Sequence, residues 1–304
     1  MEDLIIIGAG PAGLTAGLYA ARARLKTLML EKLSPGGQVL MTDWVENYPG
    51  FPDGISGFEL MDKMRRQAEK FGLEIKSQEV SRLDVLKEKQ ILATDNGNLE
   101  SKAIILACGA TPQRLGIEGE SLLTGKGVSY CATCDGPFYR EQEVAVIGGG
   151  DTAVEEALFL TKFASKIYLV HRRDKLRATK LLQERVWEEE KIEIIWDSIP
   201  KRIVGEAGVE GIDLKNVKTG KESHLPVQGV FVFIGYRPNN ELVKGLLECD
   251  ERGFVVTNKY METSETGVFA AGDITSKLLR QISTAVGDGA TAAFAAERYL
   301  ESLK

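Results

Sequence analysis

Residues 129–139 read SYCATCDGPFY, and the chemistry is concentrated in Cys131, Cys134 and Asp135. Two thiols separated by two residues bind a metal, fill a core or cycle between dithiol and disulfide. A zinc site needs two further ligands. The candidates Cys108, Cys249, His171 and His224 stand alone, with no second CxxC and no HxxxH. Inert core cysteines would be scattered, not paired. The remaining reading is a redox pair, with no metal expected. Four cysteines in 304 residues are too few for a disulfide scaffold, and a CxxC in such a chain points to a reducing compartment.

A redox pair needs an electron source, and the flanking elements predict two. Residues 4–7, LIII, suit a buried parallel strand. GAGPAG follows, with Gly8, Gly10 and Gly13 in a G-x-G-x-x-G spacing that includes Pro11 and Ala12. The first glycine permits the tight turn, the second lets backbone approach a pyrophosphate, and the third lets helix pack on strand. Pro11 suits the first turn of a helix expected to run to about Arg24, whose N-terminal amides would hold phosphates. A second strand, TLMLE, ends on Glu31, placed to accept hydrogen bonds from a ribose.

The pattern returns 140 positions later in VAVIGGGDTA, with Gly148, Gly150 and Ala153 in register and Asp151 and Thr152 between. Gly8 to Glu31 spans 23 residues, and Gly148 to His171 spans the same 23. Where the first copy carries an acid, the second carries His171, Arg172 and Arg173, with Arg177 four residues on. Arginines there pair with a 2′-phosphate that a carboxylate would repel, so the second site should prefer NADPH to NADH. Two dinucleotide sites suggest a flavoprotein with a nicotinamide donor. KAIILACGATP (102–112), which includes Gly109, and GVFVFIGYRPN (229–239) are matching strand ends of the two domains. GVFAAGDI ends a strand on Gly272, Asp273 and Ile274, where a carboxylate could bond a ribityl hydroxyl. The next segment, from Arg280, is an expected helix whose start would stabilise negative charge on a reduced ring.

The remaining bounds are mild. The net charge of -6 argues against a nucleic-acid binder, which needs a basic face. The uncharged run 4–21 approaches a membrane span in length, but glycines and Pro11 interrupt it and Glu2 and Asp3 precede it. A cytoplasmic chain without membrane or targeting segment is expected.

The sequence resembles the low-molecular-weight bacterial-type thioredoxin reductases over essentially its whole length. The resemblance rests on GAGPAG, GGQ (Gly36 to Gln38), ENYPG (Glu46 to Gly50), CATCDG, GGGDTAVEEAL, HRRDKLRA, GVFAAGDI and RQI. It implies an α/β fold of two Rossmann-like three-layer dinucleotide-binding domains, with an NADPH domain (114–242) inserted into an FAD domain (1–113 and 243–304). It implies FAD, NADPH, a homodimer, and a disulfide that reduces thioredoxin. By motif, Cys134 would face the flavin, Cys131 would exchange with thioredoxin, and Asp135 would donate and accept the proton. Glu31 to Gln38, with Gly36 and Gly37, then Asn47 and the stretch Asp273 to Ser283, with Arg280, Gln281 and Ile282, match FAD contacts. Arg172, Arg173 and Arg177 match the 2′-phosphate site. Cys108 stands where threonine or serine is common, and Asp151 where asparagine is common. An acid there would weaken NADPH binding slightly. The competing readings are a related flavin disulfide reductase acting on another thioredoxin-like protein, and a non-catalytic flavin-binding module. The alkyl-hydroperoxide flavoprotein adds an N-terminal thioredoxin-like extension, which is not expected here because GAGPAG begins at residue 8.

Overall fold

The computed structural model describes residues 1–303 apart from Asp43, Glu46 and Glu88. The chain begins with β1 (Glu2–Ile7), α1 (Pro11–Arg22), β2 (Thr27–Glu31), α2 (Gly57–Lys70) and β3 (Glu74–Ser77). Then come β4 (Val80–Val85), β5 (Gln90–Thr94), β6 (Gly97–Leu106) and β7 (Ala110–Pro112). A second series follows: α3 (Glu120–Leu123), β8 (Val128–Ser129), α4 (Ala132–Asp135), β9 (Glu143–Gly148), α5 (Asp151–Leu160), β10 (Lys166–Val170) and α6 (Lys180–Glu188). It continues through β11 (Ile192–Ile195), β12 (Ser198–Val204), β13 (Gly211–Asn216), β14 (Glu222–Leu225), β15 (Gly229–Phe233) and β16 (Tyr236–Pro238). β17 (Val268–Ala270) and α7 (Ile282–Ser302) end the chain.

Two compact units result: residues 1–111 with 237–304, and residues 112–236 between them. The sequence puts the joins at 113/114 and 242/243. Asn239 explains why residues 237–242 stay with the first unit. Its Nδ2 donates to the Cys108 carbonyl at 2.8 Å, its backbone N–H donates to the Gly109 carbonyl at 3.1 Å, and its Oδ1 accepts from Thr111 at 3.0 Å.

In the first unit the strands run β3-β2-β1-β6-β5-β4, with β17 also on β6. β1, β2, β3, β6 and β17 pair in parallel, while β4, β5 and the start of β6 form an antiparallel meander. β1 is buried on both faces. Leu4 and Ile6 join the core beneath α1 and α7, and Ile5 and Ile7 join the core on the opposite face. That period of two makes three layers from one apolar strand. α7 approaches α1 closely, because a Cβ on Gly289 would fall 2.1 Å from the Ala12 carbonyl oxygen.

The second unit repeats the plan. Its parallel sheet is β11-β10-β9-β15-β8, and a separate antiparallel sheet, β12-β13-β14, lies over one face. Val144 and Val146 pack toward α5, while Ala145 and Ile147 pack with Ile203, Ile212 and Leu214 of the antiparallel sheet. Among the described residues no helix is long and apolar enough to cross a membrane.

Candidate active site

In the second unit Cys131 and Cys134 are joined as a disulfide, with Cα atoms 5.3 Å apart. Cys131 caps α4 in an extended conformation, and the Asp135 N–H donates to its carbonyl at 3.1 Å. This single turn lies on α5. Ala132 is fully buried in one cluster with Val154, Ala157 and Leu160. A Cβ on Gly136 would sit 3.1 Å from Leu160 and 3.3 Å from Phe163, so a larger residue after Asp135 would lift the turn off its bed. Ser129 fixes the entry: its Oγ accepts from the Cys131 N–H at 3.1 Å and donates to the Cys131 carbonyl at 3.3 Å. The Thr133 hydroxyl lies 3.3 Å from Cys131 Sγ.

Two ionisable groups surround the turn. Burial, and then the Asp135 charge, push the Tyr139 phenol up to about 12, so it stays a neutral hydroxyl beside the redox turn. Burial, and then the Glu155 charge, push Glu156 on α5 up to about 7, against a lowering contribution from the Ala132 N–H. Its Oε2 is enclosed without a hydrogen-bond partner. Sequence reasoning missed Glu156. Its only signal was a second glutamate in VEEAL that falls on the inner edge of the helix.

Upstream of the second nucleotide turn, β9 delivers Gly148, whose Cβ would meet Ala153 and the Phe233 carbonyl oxygen, each at 2.5 Å. α5 starts at Gly150 without a side-chain cap, so its first amides remain open to a phosphate. Asp151 is turned away to the next helix, where Oδ1 accepts from the Thr179 N–H at 2.6 Å. Thr152 is exposed and Ala153 buried. Arg172, Arg173 and Arg177 are exposed. Arg177 is pinned to the turn by its N–H on the Gly149 carbonyl at 2.7 Å, and Nη2 would lie 3.9 Å from a Cβ on Gly150. His171 does not join them. It is 4% exposed, and its ring lies where a Cβ on Gly149 would stand, 2.2 Å from Nδ1. Burial lowers its pKa, so a neutral imidazole underlies the glycine turn.

In the first unit Gly8 takes φ +104°, and a Cβ there would lie 2.4 Å from the Ala107 carbonyl oxygen. A Cβ on Gly13 would lie 1.9 Å from the Gly8 carbonyl oxygen. Gly10 and Gly37 face each other, since a Cβ on Gly37 would lie 3.2 Å from the Gly10 Cα. Pro11 opens α1, which also lacks a side-chain cap, and Ala12 is buried behind it. Glu31 accepts from the Ala9 N–H at 2.8 Å and the Leu33 N–H at 2.9 Å, one oxygen each. Gly36 is buried and Gln38 exposed beside this turn. Asn47 donates to Gln281 at 3.1 Å, while Glu46 of the same stretch lies outside the described residues. Gly109 takes φ +70° at the end of the 102–112 segment.

The Gly272 N–H donates to Asp288 of α7 at 3.0 Å, and Ile274 is fully buried. Burial raises the Asp273 pKa, and its Oδ1 is enclosed without a protein partner. Arg280 donates to the carbonyls of Asp273, Thr275 and Lys277, and Gln281 with Thr284 forms a capping box just before Ile282. An uncapped helix start, a glycine cradle and an orphaned carboxylate oxygen fit a dinucleotide carrying a polyhydroxyl chain. Asp288, which holds the Gly272 loop, was not foreseen; its signal was the acid in GDG.

Cys108 and Cys249 are free thiols. Cys108 donates to the Ile7 carbonyl at 3.7 Å, and burial followed by the Glu31 charge pushes its thiol up to about 12. Burial also raises Cys249. Neither yields a thiolate near neutral pH.

The family model for "Pyridine nucleotide-disulphide oxidoreductase" matches residues 2–289. A thioredoxin reductase of Peptoclostridium litorale is 48% identical over 99% of this chain and 98% of its own length. That of Bacillus subtilis is 47% identical over 99% and 96%. The crystal structure of thioredoxin reductase from Streptococcus pyogenes superimposes with a TM-score of 0.95 at 47% identity, covering 99% of both chains. With that full-length agreement and a CxxC disulfide next to a nucleotide turn, the chain belongs to the pyridine nucleotide-disulphide oxidoreductase family.

Proposed function

We propose that this chain is an NADPH-dependent thioredoxin-disulfide reductase, holding FAD in its first unit and NADPH in its second. The observation that carries the reading is the Cys131–Cys134 disulfide in the same unit as the arginine-flanked glycine turn. FAD, when bound, supplies two-electron transfer between the coenzyme and the disulfide. The turn Gly8–Gly13 and the start of α1 hold its pyrophosphate, Glu31 accepts from a ribose, and Asp273 Oδ1 takes a ribityl hydroxyl. Gly36, Gly37, Gln38, Asn47 and Arg280 to Ile282 complete the surround. Gly148 to Ala153 hold the nicotinamide coenzyme, and Arg172, Arg173 and Arg177 take its 2′-phosphate.

Two electrons break the Cys131–Cys134 bond and, with one proton delivered through Asp135, leave a Cys131 thiolate and a Cys134 thiol, whose proton passes to the thioredoxin thiolate when Cys134 attacks in turn. The Cys131 thiolate then attacks the disulfide of oxidised thioredoxin, forming a mixed disulfide and expelling a thiolate. Cys134 attacks Cys131 Sγ, restores the internal disulfide and releases thioredoxin as a dithiol. The chain works as a homodimer in the cytoplasm. The small cysteine content and the CxxC pattern support the compartment. The test is NADPH consumption by the purified holoenzyme with thioredoxin from the same genome. One NADPH per disulfide reduced, with NADH much slower, is expected. Oxidation of NADPH without loss of thioredoxin disulfide would overturn the reading.

A further inference from the structure

Cys131 is preceded by Tyr130, and Tyr130 is bonded to both ends of its unit. Its hydroxyl donates to Glu120 Oε1 at 2.9 Å. Glu120 is 1% exposed, and its carboxylate also accepts from two backbone amides at the start of the unit: Leu115 N–H at 2.8 Å and Gly116 N–H at 2.7 Å. The Tyr130 carbonyl in turn accepts from Tyr236 Oη at 2.9 Å, and Tyr236 is the last residue of the unit. A buried carboxylate satisfied by three neutral donors holds its geometry, because losing any one leaves charge without compensation. Burial, followed by the Glu120 hydrogen bond and charge, pushes the Tyr130 phenol up to about 12, so it remains a donor throughout the neutral range.

We propose that the buried Glu120 and the half-buried Tyr130 and Tyr236 form a hydrogen-bonded strut that positions the redox disulfide relative to the two points where the chain enters and leaves its unit. Glu120 and Tyr130 are positioning residues, acting through hydrogen bonds of the Tyr130 hydroxyl and carbonyl. Ser129, whose Oγ bonds both backbone groups of Cys131, passes the constraint on to the first cysteine. Where the entering and leaving strands carry the unit, the disulfide travels with them as one body. The strut's value lies in delivery of the disulfide, not in its chemistry. This rests on reading the chain as a flavin-dependent disulfide reductase.

Three rates separate the roles, measured on holoenzyme of wild type, Tyr130→Phe and Tyr236→Phe. The first is flavin bleaching by NADPH. The second is flavin recovery coupled to the appearance of two thiols per chain. The third is reduction of the Cys131–Cys134 disulfide by dithiothreitol, which needs neither flavin nor thioredoxin. For Tyr130→Phe the strut predicts unchanged bleaching, unchanged reaction with dithiothreitol, and internal transfer slowed roughly ten-fold, the effect of one lost hydrogen bond to a charged group. Turnover should lose kcat with little change in KM for thioredoxin. Tyr236→Phe should show the same selectivity, and Glu120→Gln, which keeps an acceptor for Tyr130, should recover part of the rate relative to Glu120→Ala. Equal slowing of all three rates, or no slowing of internal transfer in either tyrosine variant, overturns the strut. A wild-type enzyme whose flavin and disulfide exchange electrons but which leaves thioredoxin oxidised would sink the substrate assignment instead, with the strut still judged by the internal transfer rate.

Discussion

Cys131 and Cys134 are chemically alike but placed differently, Cys131 capping α4 and Cys134 within it. If Cys134 is the flavin-side thiol, reduced Cys131→Ser holoenzyme should keep a long-wavelength thiolate–flavin band and Cys134→Ser should lack it, as read by anaerobic absorbance. Both variants should lose thioredoxin reduction, since exchange needs an attacking and a resolving thiol. Glu156 makes a second prediction. Its folded pKa of about 7 lies above the ordinary 4.5, so the folded state binds this proton more tightly than the unfolded chain does. Below the ordinary value the carboxyl is neutral in both states and the burial cost is absent. Stability should fall as pH rises through that window and level off above it, by about 3 kcal/mol in all. Glu156→Gln should flatten the dependence of Tm on pH across the window and melt higher than wild type at pH 8. A variant with the same slope as wild type would show that Glu156 does not carry the proton. The cysteines and glycines of the site were legible because few other residues perform their tasks. Glu120 and Glu156 were not, because a glutamate on a helix ordinarily faces water and nothing local marks the two that are enclosed.

At the scale of elements, the alternation in β1 and the glycine spacings told in advance which faces would be buried. Strand ends were less legible. β10 stops at Val170, one residue before the position that matches Glu31 in the first copy. His171 continues the alternation inward, and its neighbour Arg172 turns out to solvent. The register match to Glu31 grouped them, while period two separates them. The exposed arginines lead to a third expectation. Losing a charge-assisted phosphate contact costs about 1.5–3 kcal/mol. Arg172→Ala with Arg177→Ala should therefore raise the KM for NADPH by roughly 10- to 150-fold and leave NADH nearly untouched. Equal losses for both coenzymes would mean that these arginines serve the fold. A fourth concerns the α1–α7 seam. Gly289→Ala forces a methyl against the Ala12 carbonyl, which outweighs the alanine's helix propensity and should destabilise by about 1–3 kcal/mol. Because α1 also presents the first glycine turn, flavin content after dialysis should fall with Tm; retention of full flavin at the wild-type Tm would contradict the packing argument.

For the whole molecule, the repeat at 140 residues announced two units of one design, while the insertion of one into the other was implied by the family resemblance. The joins were legible only to within several residues, because the bonds that bind Asn239 to Cys108, Gly109 and Thr111 connect positions about 130 apart in sequence. The insertion also fixes an order of events during synthesis. Residues 112–236 are contiguous, and every strand of their sheets is present once Phe233 has been made. The surrounding unit must wait: β6 has β1 and β5 beside it early but lacks β17 along Ile104–Leu106 until Val268–Ala270 are made, and α1 lacks its cover until Ile282–Ser302. Domains fold as units, and long-range pairings close late. A nascent chain stalled with residue 260 outside the ribosome should already protect residues 112–236 from protease and leave 1–111 open to cleavage. The part of the protein that is begun first is thus the last to be finished.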